Sequence, residues 1–261
     1  MIKINQPFFI LNLSPWPIFL SKKGFNFMMS KIMMMNFKFN YFMLKNFLLT
    51  FLTSMLWGGG VIWGSTYQGN HNFFIMKIFK FWKIFFIILE KFFFISFFWN
   101  FLQNFLAPPN EMGVNWPPKN LKFFNPILIP LLNTIIFLTP SFTIPLSHFY
   151  FLNNKKKKTI MSLNLTIILS IYFMFLQSIE YNEATFTFSD SIFGSSFFMA
   201  TGFHGMHVMI GTMFLLVNLM RLVNMQMSYI HHISFELAIW YWHFIDIIWL
   251  FLYMTFYWWN N

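Results

Sequence analysis

The 261-residue chain has no cysteine, one arginine and only seven acidic residues. The lack of cysteine excludes disulfides, thiolate metal centres and a cysteine nucleophile, but selects no compartment. Charge is scarce overall: 9% of the residues carry it, where a soluble domain has roughly 25%. In its place stand 57% hydrophobic residues, among them 42 Phe, 20 Met and 11 Trp. Long apolar runs of this kind argue against an ordinary soluble domain and for an integral membrane protein. Sixteen lysines and the arginine bring the formal charge to +10. They sit between the apolar runs, so a topogenic role in retained loops fits them better than nucleic-acid binding. Internal repeats, a Gly-rich phosphate loop and a hydrolase elbow are also missing. The first apolar stretch, 7–20, is broken by Pro15 and Pro17 and lacks a small-residue cleavage site, so no cleavable signal is expected. Heavy use of Phe, Ile, Asn, Lys and Met suggests an AT-rich coding genome, such as an organelle's.

A helix needs about 20 mostly apolar residues to cross the hydrocarbon core of a bilayer. Six stretches qualify: 46–70, 92–110, 127–154, 159–179, 191–220 and 237–259. Residues 15–36 have the length of a seventh, provided Lys22, Lys23 and Lys31 keep their ammonium groups at an interface or a protein neighbour. The stretch ending near Leu106 is expected to begin well before Phe92. Lys77, Lys80 and Lys83 recur every three residues there, as a solvated stripe on a helix that projects beyond the membrane. The expected fold is all-α, a polytopic bundle of seven transmembrane helices. With seven, the side holding the N-terminus also holds Lys77, Lys80, Lys83, the run Lys155 to Lys158, and Arg221, while Glu111, Glu180, Glu183 and Asp190 fall opposite. The positive-inside rule then puts the N-terminus on the cytoplasmic or matrix side. The lysine run reads as a topogenic loop before it reads as an anionic-lipid site. Between the third and fourth helices, "APPNEMGVNWPPKNLKFFNP" must be irregular.

Several spans hold groups that lipid rejects. Glu90 lies at the start of the third helix's apolar run, His204 and His207 in the sixth, and Glu236, His243 and Asp246 along the seventh. Glu236 and His243 are two helical turns apart, and Asp246 is three residues beyond His243, close to the same face. Such residues normally point inward and pair, so one polar seam joining the third, sixth and seventh helices is the economical arrangement. A metal site is an alternative, but neither Glu90 nor Glu236 has the histidine three residues later that bundle-carboxylate sites use. A proton or ion pathway is another, because an intramembrane glutamate is a functional candidate by default. Packing contacts that lock the helices are the plainer reading, and Gly202, Gly205 and Gly211 fit it by allowing close approach.

The motifs "ATGFHGMHVMIGT", "HHISFELAIWYWHFIDIIWLFLY" and a terminal "YWW" closely resemble subunit III of the mitochondrial cytochrome c oxidase family. "SPWP", "STYQGNH", "LAPPNEMGVNWPP", "IPLLNT" and "LQSIEYNEATFTFSDSIFGSSFFMATGFHG" are similar to further signatures of that family, in the expected order. The resemblance is thin before about Trp57 and strong from Glu90 onward. It implies seven transmembrane helices arranged as two plus five around a lipid-filled cleft, here 1–72 and 73–261. It also implies a chain with no catalytic residue, metal, haem or copper of its own. Haem a and copper belong to partner subunits I and II, where electrons from cytochrome c reduce oxygen and protons are translocated. The implied place is the mitochondrial inner membrane, with the N-terminus in the matrix, among subunits I and II, accessory subunits and structural phospholipids. Membership of a respiratory supercomplex stays open.

By position, Glu90 matches the family's intramembrane carboxylate discussed in connection with proton movement, and His71 and Arg221 match positions associated with phospholipid head groups. A guanidinium suits bidentate phosphate binding. His204, His207, Glu236, His243 and Asp246 are assigned to helix packing. Three departures stand out: Lys91 beside Glu90, the lack of charge in "WGGGVIWGSTYQG", and the lysines of the first helix. A bacterial quinol oxidase subunit is the nearest alternative, and an independent transporter or metalloprotein a more distant one.

Overall fold

A computed structural model describes residues 14–38, 40–108, 116 and 123–259. Glu111, and most of the loop that holds it, lie outside the described residues. All regular structure among the described residues is helical. Seven α-helices follow one another: α1 Trp16–Phe37, α2 Asn40–Thr66, α3 Phe73–Leu106, α4 Ile129–Leu152, α5 Lys156–Glu183, α6 Ile192–Val223 and α7 Ile233–Leu252, the last continuing into a π-helical segment, Tyr253–Trp258. Six of them, α2 to α7, are long and apolar enough to cross a membrane. The lysine-bearing α1 is not among the six.

The chain forms two compact units, Met1–Phe79 and Lys80–Asn261. In the first, α1 ends on Lys38, whose left-handed backbone (φ 58°) lets its N–H reach the Met34 carbonyl. That turn folds α2 back along α1, where Asn46 Nδ2 donates to the Asn26 carbonyl at 3.3 Å and Phe27 packs on Phe47. At the other end of α2, Gly69 takes φ +63°, a conformation in which a side chain is strained. Asn72 then caps α3 by accepting the Ile75 N–H.

α3 has 34 residues, about 50 Å at 1.5 Å per residue, so it outruns a hydrocarbon core of about 30 Å. It starts at Phe73, well before Phe92, as its basic leading end implied.

In the second unit, α4 and α5 form a hairpin whose turn again uses a left-handed residue, Asn154 (φ 57°). α4 tolerates Pro140 and Pro145 inside it. Pro140 leaves the Ile136 carbonyl without its helical donor, and the Thr139 hydroxyl supplies one at 2.8 Å. Ser191 caps α6 by accepting the Gly194 N–H at 3.0 Å. A Cβ on Gly194 would lie 2.4 Å from the Thr187 carbonyl, so only glycine fits this entry. The bundle's centre is aromatic: Phe137 of α4, Phe173 of α5, and Trp242 and Trp249 of α7 are fully buried.

Of the three glycines expected to let helices approach, Gly211 does so. Its Cβ position lies 3.0 Å from Ile245 Cδ1 and 3.2 Å from the Trp242 ring, whereas Gly205 has ordinary space beside Met174 and Gly202 faces nothing within 4 Å.

Candidate functional site

The polar side chains inside the helices gather in separate groups rather than along one seam. The reason is helical geometry: residues three apart diverge by about 60° around the axis. His207 therefore faces α3 while His204 faces the aromatic centre. The His204 ring sits 5.4, 5.9 and 5.1 Å from the rings of Phe137, Phe173 and Trp249, and its nitrogens have no hydrogen-bond partner among the described residues.

His207 and Glu90 pair across α6 and α3. Nε2 of His207 lies 2.9 Å from Oε2 of Glu90, and Nδ1 lies 2.7 Å from the Phe203 carbonyl oxygen. A carbonyl oxygen only accepts, so Nδ1 carries a proton. The Nε2 contact then needs one proton more, held either on the imidazole or on the carboxyl. Glu90 and His207 thus share one proton, and the pair as a whole is neutral in either arrangement. Lys83 stands nearby, its Nζ 4.1 Å over the Tyr241 ring and 5.1 Å over both Phe86 and Phe214. That cation–π cage holds an ammonium in an apolar setting without a second carboxylate.

The basic stripe is therefore not simply solvated. Lys77 keeps a contact within α3, over the Phe73 ring at 4.7 Å. Lys80 forms an ion pair with Glu236 of α7. Lys91 turns away from Glu90 and lines an apolar groove of about 770 Å³ between α3 and α7, together with His243, Phe94 and Phe251. His243 Nδ1 lies 3.5 Å from the buried Asp246 carboxylate, so this pair stays within α7.

Glu236, expected beside His243, instead joins a group at the start of α7. His232 Nε2 is 3.5 Å from Glu236 Oε1 and 3.2 Å from Nε2 of His148 on α4. Arg221 lies close to the same end of α7, largely buried at 8% exposure. Its Nη1 donates to Ser234 Oγ, Ser234 Oγ donates to Asn218 Oδ1 at 2.8 Å, and Asn218 Nδ2 reaches the Ser234 carbonyl at 3.3 Å. The guanidinium thereby ties α6 to α7. His71 lies before α3, with its ring 5.1 Å from that of Phe79.

Sequence reasoning missed two groups. Glu180, expected in a loop, is buried on α5 at 1% exposure, where Tyr257 donates to its Oε2 at 3.1 Å. One turn away, Gln177 Oε1 accepts from Asn133 of α4 at 3.2 Å. The three-residue spacing of Gln177 and Glu180 was the available signal, since about 60° of divergence still lets both point into the bundle. His148 gave no signal, because its partner His232 is 84 residues away.

Apolar helices of membrane length, joined internally by polar and aromatic contacts, define a multi-pass helical membrane protein. The family profile described as Cytochrome c oxidase subunit III matches residues 6–261. The chain is 44% identical over 258 residues to "Cytochrome c oxidase subunit 3" of Drosophila melanogaster, covering 98% of each. It is 44% identical over 248 residues to the protein of that name from Struthio camelus, covering 95% of each. It is 41% identical over 261 residues to that from Paracentrotus lividus, covering all of both. The chain belongs to the cytochrome c oxidase subunit III family.

Proposed function

We propose that this chain is the non-redox subunit III of a mitochondrial cytochrome c oxidase. In that complex, haem a and copper of subunits I and II carry electrons from cytochrome c to oxygen. The observation that carries the reading is the full-length match to animal proteins of that name. The chain spans the inner membrane with its N-terminus in the matrix, on the side of the lysine-rich loops. Its first two helices splay from the other five around phospholipid, and His71 and Arg221 face lipid head groups. Ser234 already uses one guanidinium nitrogen of Arg221, and the fixed positive charge and forked donors of the guanidinium are what support an anionic contact there. The proton shared by Glu90 and His207 supports a role for Glu90 in proton uptake by the complex. His204, through its ring contacts with Phe137, Phe173 and Trp249, and Glu236, through Lys80, hold helices together, whereas the His243 and Asp246 pair braces α7 itself.

Depleting the chain from the purified complex tests the division of labour. Haem a and copper absorbance should be unchanged, and cytochrome c should still be oxidised by the depleted complex. Loss of haem or copper in step with the chain would contradict the non-redox assignment.

A further inference from the structure

The group formed by His148, His232 and Glu236 has the geometry of a cation site. One donor atom from each residue lies within 4.8 Å of the others. Zinc bonds to imidazole nitrogen are about 2.0–2.1 Å long, and to carboxylate oxygen about 2.0–2.2 Å. Tetrahedral angles therefore separate neighbouring donors by about 3.3–3.5 Å. The observed separations are 3.2 Å between the two Nε2 atoms and 3.5 Å between His232 Nε2 and Glu236 Oε1.

The donors come from two helices. His148 sits on the last turns of α4, and His232 and Glu236 span the first turn of α7, where their four-residue spacing puts both on one face. Two imidazoles and a carboxylate, with one position left open, are the ligand set of several catalytic zinc sites and suit borderline cations better than magnesium or calcium. Two imidazole nitrogens aimed at one another otherwise need one of them to donate and the other to accept. A cation between them removes that requirement, because each then offers a lone pair to the same centre.

We propose that His148, His232 and Glu236 bind a divalent transition-metal cation of the zinc type, clamping α4 to α7 at the lysine-rich end of the bundle. Lys80 is the built-in competitor. Its ammonium neutralises Glu236 in the metal-free group, and at 41% side-chain exposure it is free to swing away when the cation arrives. The site carries no electron transfer and is compatible with a non-redox chain. The carboxylate makes it selective for a cation over a phosphate group.

The test uses the assembled oxidase complex, stripped with a chelator and then titrated with zinc chloride. The wild-type complex should take up one more equivalent of zinc than complexes carrying His148→Gln, His232→Ala or Glu236→Gln. Those variants should bind at that site at least about tenfold more weakly, since even outer contacts of zinc sites are worth about that much. His231→Ala, one residue from a ligand, should keep the equivalent. Lys80→Met should bind zinc several-fold more tightly, a gain that a damaged fold does not produce. Anomalous scattering at the zinc edge from wild-type complex soaked in zinc chloride should place a peak between His148 and His232, and needs no variant. Equal zinc content in all complexes, or no peak at that position, overturns the proposal. A failure of the oxidase assignment is separable, because it shows as the absence of a haem-containing complex before any zinc is added.

Discussion

Glu90 shows how little a single residue's sequence position says about its chemistry. Lys91 is its neighbour in the chain, yet the two point about 100° apart on the helix, and the carboxyl meets His207 of α6 instead. Because the Phe203 carbonyl fixes the proton on Nδ1 of His207, the pair holds one shared proton. Glu90→Gln keeps the hydrogen-bond contact but removes the carboxyl that shares this proton. Complexes with this substitution should assemble with normal haem content and show slower proton uptake. Failure to assemble would instead make Glu90 a structural residue. Gly211 gives a second prediction at this scale. Its Cβ position presses on the Trp242 ring, which cannot yield as a flexible chain end can. Gly211→Ala should therefore cost roughly 1–3 kcal/mol of stability by overpacking. Gly202→Ala, which meets nothing within 4 Å, should be neutral or slightly stabilising. Thermal denaturation of the two variant complexes compares them directly.

Between elements, the join of α6 to α7 depends on a few polar contacts. Asn218 bridges the helices by donating to the Ser234 carbonyl and accepting from the Ser234 hydroxyl. Asn218→Ala should cost about 0.6 kcal/mol, and at most about 1.7 kcal/mol, the range measured for such bonds between membrane helices. A loss of 3 kcal/mol or more in the same denaturation measurement would mean that Asn218 also holds Arg221 in place. The loop itself closes on a tight turn in which the His231 N–H bonds to the Ser228 carbonyl and hydroxyl. Burial lowers the pKa of the His231 imidazole from its usual value, and the Arg221 charge adds to the effect. The folded loop thus prefers neutral His231. That contribution is present above the unfolded pKa of about 6.5 and is lost as pH falls through the lower folded value. Hydrogen exchange of residues 228–232, corrected for intrinsic rate, should speed up as pH falls below the unfolded value of about 6.5. Unchanged protection would contradict the sign.

The helices were legible because spans, prolines and lysines mark them locally. α3 could be extended back toward Phe73 from three lysines alone. Which faces meet was not legible, because lipid-facing and protein-facing apolar surfaces have the same composition. Hence His204 and His207 read as members of one polar seam although they part to different neighbours. Glu180 read as a loop acid although Tyr257, 77 residues away, makes it a buried one. His148 and His232 met only in three dimensions.

For the whole molecule, much of the apolar surface remains uncovered in the isolated chain. In α2 and α3, only 11% of each membrane-length window is buried, and large side chains such as Phe81, Phe92 and Trp99 are exposed. Lipid and partner subunits must cover such surfaces in a membrane assembly. The stability of this chain therefore belongs in part to the complex, so the expected costs above should be measured there and not in the chain alone. The central claim, membership of a haem-copper oxidase complex as a subunit without its own redox centre, has a direct test. The tagged chain is isolated in mild detergent, and the visible spectrum and subunit masses of whatever accompanies it are recorded. Haem a absorbance together with subunits I and II is the predicted result. A colourless, solitary protein that transports a substrate or carries a catalytic metal by itself would contradict it.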